Sequence, residues 1–500
     1  MLKSSLKGLS FYKSLAVSFI LVAFVSIQNF AQPSAHFIPS KPITKDSLLS
    51  ISLEKRFKSE KDTINFSKKK GKDFIIDQCS LRTEYVKSKL SQEYFLTGSS
   101  IDNYIQKIVQ EIISKNSQLN YGIKVLISRD PEPNAFALGN GIVIFNIGML
   151  NRVKTEADIA FILCHEFSHD YLRHGNIDLY HSAERLVDKE LEAQLKIAMK
   201  EEFNTKAKVI ALLLPGLKKS RQYNRGQELE ADSLGLKFLA NTKYSLQGGV
   251  SVMGVLDSLD IRMENDVIDL RKFFTMPQVA PGKYWFYYKG ENSLGGGFAE
   301  EKDSLSDSLK THPDCMLRKE IITSMIDSGD VGNLFLQDVD SFNAMKFDAE
   351  GEVIQLWLDW LYIDHTIYNS LLYLEKYPSN VFPRSVLSLS LAFISWKKKT
   401  MNAGYYLDLP SPKYDESFNR LLQFLREINP DENSQLSYWM IRPVIEELKK
   451  HEVYLAALVL SAYSMSKNDE YAQLRKEYTD NFPKGRYESF FPELEKKKRK

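Results

Sequence analysis

His165-Glu166-Phe167-Ser168-His169 closes an apolar run, and two imidazoles four residues apart share one face of a helix. Such a pair can grip a single Zn2+ at about 2.0–2.1 Å per nitrogen. Glu166 sits one position round from His165, beside the metal rather than on it. That is where a general base takes a proton from water. Thr155-Glu156-Ala157-Asp158 reads as a capping box, with Thr155 as N-cap, and predicts where this helix starts. A catalytic zinc also needs a third protein ligand and an open fourth position. A third His six residues after the second is absent: Gly175 stands there and His174 is one place off. The better source is the helical stretch Arg225 to Gly235, where Glu228 and Asp232 share a face. Glu228 can offer a ligand carboxylate while Asp232 orients an imidazole N–H. Glu230 is expected to point to solvent. Incidental histidines on a surface helix, and a merely acidic second helix, are the bland alternatives.

Four stretches together carry a family resemblance. They are Asn134-Ala135-Phe136-Ala137-Leu138-Gly139-Asn140-Gly141 with Gly148-Met149-Leu150, then His165 to His169, then Arg225 to Asp232, then Thr311-His312-Pro313 with Arg318. In type and order they resemble the M48 peptidases, over roughly residues 80–330, and most of all those periplasmic members with TPR-like C-terminal helices. The resemblance implies one zinc per chain held by His165, His169 and Glu228, and endopeptidase hydrolysis of protein or peptide substrates. It also implies a mostly α fold with a small β-sheet (α+β): a zincin, gluzincin-type domain followed by an all-α TPR-like domain. An alternative of another class is a chaperone-like envelope protein that binds through its C-terminal helices, with little or no proteolysis.

The elements that must position these residues can be read in order. Lys3, Lys7 and Lys13 precede the apolar run Leu15 to Ile27, so 1–31 is expected to be a signal peptide, with an uncleaved anchor as the variant. The chain is therefore expected to be exported, to the periplasm or beyond, and tethered if the segment stays. Residues 32–72 are polar and Lys-rich and read as a linker; 73–335 is then the peptidase domain and 336–500 the helical one. Helix is expected from Asp73 to Lys115, with Ile101, Tyr104, Ile105, Ile108, Val109, Ile112 and Ile113 as its core stripe. Tyr121 to Ser128 and Ile142 to Phe145 read as strands around the breaks Asp130-Pro131-Glu132-Pro133 and Gly139-Asn140-Gly141. Asn134, Ala135, Phe136, Gly141 and Ile142 are the candidate edge for pairing an extended substrate.

Further along, His174 beside Gly175 is expected to end a helix, and residues 178–205 to form a long amphipathic one. Val209 to Leu214 is too short to span a bilayer. Lys283-Tyr284-Trp285-Phe286-Tyr287-Tyr288-Lys289 looks like an exposed aromatic cluster before a Gly-rich loop. His312 is a catalytic candidate, donating to the oxyanion or filling the fourth metal position, with Tyr287 and Tyr288 as weaker oxyanion donors. Cys79, Cys164 and Cys315 have no Cys-x-x-Cys spacing. Cys164 is expected in the core, and Cys79 and Cys315 could pair in an oxidising compartment, which their spacing leaves open. A net charge of +2 argues for no nucleic-acid partner, and 43% apolar content supports a large core. The helical hairpins ending near Pro378, Pro430 and Pro483 offer a surface for a protein partner. The closing Lys496 to Lys500 allows peripheral contact with an anionic membrane.

Overall fold

The computed structural model describes residues 37–40, 47–92, 94–199, 224–259, 268–283, 285–287, 315–326, 329–330, 332–411 and 414–492. The leader, Val209 to Leu214, the Gly-rich loop, His312 and the basic tail lie outside these residues. The first half contains α1 (Ser47–Asp62), α2 (Lys69–Ser91), α3 (Ser100–Lys115), β1 (Lys124–Ser128), β2 (Ala135–Gly139), β3 (Ile142–Asn146) and α4 (Ile147–Leu150). Then come α5 (Glu156–Tyr171), α6 (His174–Leu186), α7 (Lys189–Ala198), α8 (224–240), α9 (Gln247–Leu259), α10 (Leu270–Phe274) and α11 (Cys315–Met325). The second half is all helix: α12 (Val339–Asp359), α13 (Ile363–Lys376), α14 (Val381–Lys399), α15 (Glu416–Glu427), α16 (Pro430–Met440), α17 (Glu452–Ser464) and α18 (Asn468–Asn481). The fold is α+β with a helical C-terminal region.

The sheet runs β1-β3-β2, with β1 parallel and β2 antiparallel to β3. Side chains alternate between its faces. Val125, Ile127, Val143 and Phe145 enter the main peptidase core with α3, α5, α8 and α9, while Leu126, Ile142 and Ile144 turn to a second cluster. That second cluster is closed by Leu49, Leu53 and Phe57 of α1. Residues 32–72 are therefore not a plain linker: three apolar residues at four-residue spacing give the Lys-rich segment a buried stripe, and the lysines cover its outside. The expected helix from Asp73 to Lys115 is two helices broken at residues 92–99, and its core stripe lies on α3 as read.

No boundary separates residues 335 and 336 in packing terms. Helix α12 gives Phe342, Met345, Ala349 and Val353 to the peptidase core and Phe347, Ile354 and Leu358 to the helical one. Around it, α14 is the central rod of the second half, packed against α13, α16 and α17. Trp285 is buried in that second core rather than exposed, packed edge-on to Phe424, while Tyr287 is open to solvent. Cys79 and Cys315 are buried in separate hydrophobic clusters. Among the described residues no helix is long and apolar enough to cross a membrane.

Candidate metal centre

Helix α5 begins with the expected box: Thr155 accepts from the Asp158 N–H, and the Asp158 carboxylate accepts from the Thr155 N–H at 3.2 Å. Almost every residue of α5 is buried, so the helix is held on all sides and its two histidines have one direction to face. Helix α8 crosses it closely. A Cβ on Gly235 would come within 3.0 Å of the His165 backbone nitrogen, so a side chain there would push the two helices apart. This approach brings Glu228 and Asp232 within reach of the histidines.

His165, His169 and Glu228 converge, with a donor atom from each inside a 4.8 Å cluster. The two Nε2 atoms are 3.0 Å apart, and Glu228 Oε1 and Oε2 lie 3.4 Å from His169 Nε2 and 3.7 Å from His165 Nε2. Ligands about 2.0–2.1 Å from one tetrahedral ion stand about 3.3 Å from each other, so the spacing and the N2O donor set fit zinc. A cleft of about 880 Å3 opens over this side, lined by these residues, by Asn134 to Ala137 and by Gly139 to Gly141.

Each donor is held from behind. His165 Nδ1 is 2.9 Å from Asp232 Oδ1. Arg318, almost fully buried on α11, forks onto Asp232 at 2.6 and 2.8 Å and sends Nη1 to Glu228 Oε2 at 2.8 Å. Burial opposes ionising Glu228, but the His169 hydrogen bond and the charges of His165 and Arg318 keep its pKa well below the usual carboxylate range. Asp232 is likewise lowered against burial, through hydrogen bonds from Arg318 and His165. Burial also works against charging His165, yet the Asp232 hydrogen bond and the surrounding carboxylates raise its pKa.

Glu166 is buried on the cleft side, and that burial pushes its carboxyl upward. Its Oε2 accepts from the Ala137 N–H at 2.8 Å. The Asn146 N–H donates to Asn134 O at 3.0 Å, which fixes the alternation: Asn134 and Phe136 bond toward β3, so Ala135 and Ala137 turn their polar groups outward. Strand β2 is thus the edge strand beside the metal donors, and of the residues expected on that edge Ala135 faces outward while Asn134 and Phe136 bond toward β3. The expectation fails for Ile142. It lies on the central strand, paired on both sides and fully buried, and cannot meet a substrate backbone. Gly141 belongs to the turn, and its N–H is taken by both oxygens of Asp170 at 3.0 Å. Asp170, which also accepts from Tyr121 Oη at 2.7 Å, ties the end of α5 to that turn and so sets strand against helix. Gly139, Asn140 and Gly141 all have positive φ (97°, 54° and 76°), which two glycines and an asparagine tolerate.

His174 does not end a helix; it starts α6, after Arg173 turns the chain at φ 58°. It is buried, and its Nδ1 lies 2.9 Å from His169 Nδ1. Burial and the neighbouring His169 keep its pKa below the usual imidazole value. Glu230 is exposed as expected but touches His174 Nε2 at 3.3 Å. Gly175 suggested a helix end, and the positive φ at the preceding arginine left no mark in the residue types.

The model of peptidase family M48 matches residues 99–326. That segment, a little under half of the chain, is what is similar to the family. Among curated proteins, a mitochondrial metalloendopeptidase OMA1 of Arabidopsis thaliana is 27% identical over 40% of this chain and 30% of its own. One from Schizosaccharomyces pombe is 24% identical over 32% of this chain and 45% of its own. A provisionally named beta-barrel assembly-enhancing protease of Vibrio cholerae is 22% identical over 35% and 37%. The chain thus matches less than half the length of each of these relatives.

Proposed function

We propose that this chain is a zinc-dependent endopeptidase acting on proteins of the cell envelope. The observation that carries it is the convergence of His165, His169 and Glu228 beside an unpaired strand edge and a buried carboxylate. A zinc ion held by those three residues supplies a Lewis acid that polarises a carbonyl and makes water acidic near neutral pH. The outward groups of Ala135 and the carbonyl of Ala137 would bind an extended peptide through backbone hydrogen bonds that ignore its sequence. Glu166, placed beside the donors and fixed by the Ala137 N–H, accepts the proton of the attacking water and returns it to the leaving amine.

The envelope location rests on the basic and apolar leader at residues 1–31 and on the printed name of the Vibrio cholerae relative. His312 is proposed to approach the same centre, on the strength of the Thr311-His312-Pro313 resemblance. The test measures zinc stoichiometry and casein cleavage in the full chain. One zinc per chain and cleavage abolished by a chelator are expected. A metal-loaded protein that binds casein without cutting it would favour the chaperone-like alternative.

A further inference from the structure

His169 is held from behind by something other than a carboxylate, and the proton positions on that side follow from a single requirement. To hold a cation, His169 must leave Nε2 bare, so its proton is on Nδ1. That atom faces His174 Nδ1 at 2.9 Å. Two protonated nitrogens cannot share the contact, so His174 Nδ1 accepts and its own proton sits on Nε2. Nε2 in turn meets Glu230 Oε2 at 3.3 Å. The polarity of the whole run is then set: His169 donates to His174, and His174 donates to Glu230.

We propose that His174 is a positioning residue for the metal ligand His169, locking its tautomer and ring plane, and that Glu230 does the same for His174. Asp232 serves His165 directly, whereas His169 is served by a neutral imidazole whose far end is anchored at the protein surface. His174 is only 3% exposed, while the Glu230 side chain is 69% exposed. The buried link is therefore the one that matters most, and the surface carboxylate tunes it.

This rests on the zinc reading above, and the experiment separates the two. Zinc affinity of the full chain is measured by competition with a chromophoric chelator, alongside thermal melting of the metal-free protein. His174→Ala should weaken zinc about 10- to 100-fold. His174→Asn, whose amide oxygen can accept from His169 Nδ1–H, should recover most of that loss. Glu230→Gln keeps an acceptor and should stay near wild type, with Glu230→Ala losing a few-fold, roughly the low end of that range. Unchanged affinity in His174→Ala overturns the proposal. So does an equal loss in His174→Asn accompanied by a lower metal-free melting temperature, since that is a packing defect. A wild-type chain that binds no zinc would instead overturn the reading of the centre itself.

Discussion

The same chemical pair occurs at two ends of the molecule in opposite surroundings. At the metal centre Arg318 forks onto Asp232 with the two side chains 2% and 3% exposed. Near the C-terminus Arg475 forks onto Glu488 with exposures of 23% and 45%. The halves around them differ in the same way. Behind the cleft, His165, Glu166, Asp170, His174, Asp232 and Arg318 are all buried. The helical half buries mostly hydroxyls instead: Ser388 and Ser437 exchange hydrogen bonds with each other's carbonyls at 2.7 and 2.8 Å, and Ser395 Oγ donates to Pro430 O at 2.7 Å. Serines there let α14 and α16 approach closely without desolvating a charge. Charges taken out of water cost more than they return unless fully paired, so a cluster of them marks a site kept for chemistry rather than for stability.

The sharpest way to expose that difference is to remove the chemistry and leave the frame. Glu166→Gln keeps size and the Ala137 contact, and should lower turnover by about 10²–10⁴-fold while zinc content and melting temperature stay at wild-type values. Retained cleavage would remove Glu166 from the mechanism. Next in size is Arg318→Met. It leaves Glu228 and Asp232 buried without their cation, a defect of about 3–5 kcal/mol by analogy with other broken buried pairs. Denaturant unfolding of the metal-free protein reads it directly. A loss below about 1 kcal/mol would mean that the buried fork behaves like a surface one.

Leu391→Ala probes the other half. Leu391 is fully buried on α14, and its truncation should destabilise by about 2–5 kcal/mol through lost burial and a cavity. Zinc affinity should not change, because the defect sits among helices that contribute no donor. A coupled loss of zinc affinity would show that α12, which enters both cores, transmits packing faults to the centre.

Much of the centre was legible because local signals coincided there. The Thr155 and Asp158 box, the apolar run and the four-residue spacing all placed one helix, and the same spacing in α8 paired Glu228 with Asp232. Ala135 was placed on an edge by the family likeness, and the breaks at Pro131 and Pro133 put the start of β2 just beyond them. Ile142 was misplaced on that edge since strand order is a long-range property: its continuous apolar run suits a central strand as well as a border one. Helix α1 was hidden by its charged residues, which outnumber the three that dock it. Trp285 looked exposed among tyrosines because nothing local announces the partner Phe424, well over a hundred residues later.

The smallest effect belongs to the outer fork, and it closes the comparison on one variable. Arg475→Ala should cost only about 0.2–1 kcal/mol, the usual worth of a solvent-screened pair, and less in high salt. Its Nη1 lies 3.0 Å from Glu488 Oε2, and the guanidinium also covers the Phe491 ring at 4.5 Å. The hydrogen bond from Arg475 holds the Glu488 carboxyl below its ordinary value. A lowered carboxylate contributes stability above its unfolded pKa of about 4.3 and loses it as pH falls through the folded value. The difference between wild type and Arg475→Ala should therefore be constant from neutrality down to about pH 5 and shrink below about pH 4. What survives at low pH and high salt is the contact with Phe491 and the hydrogen bond to Tyr471. A difference that ignored both pH and salt would mean that the arginine acts here as an apolar cover, and that only the buried fork at the metal centre is electrostatic in kind.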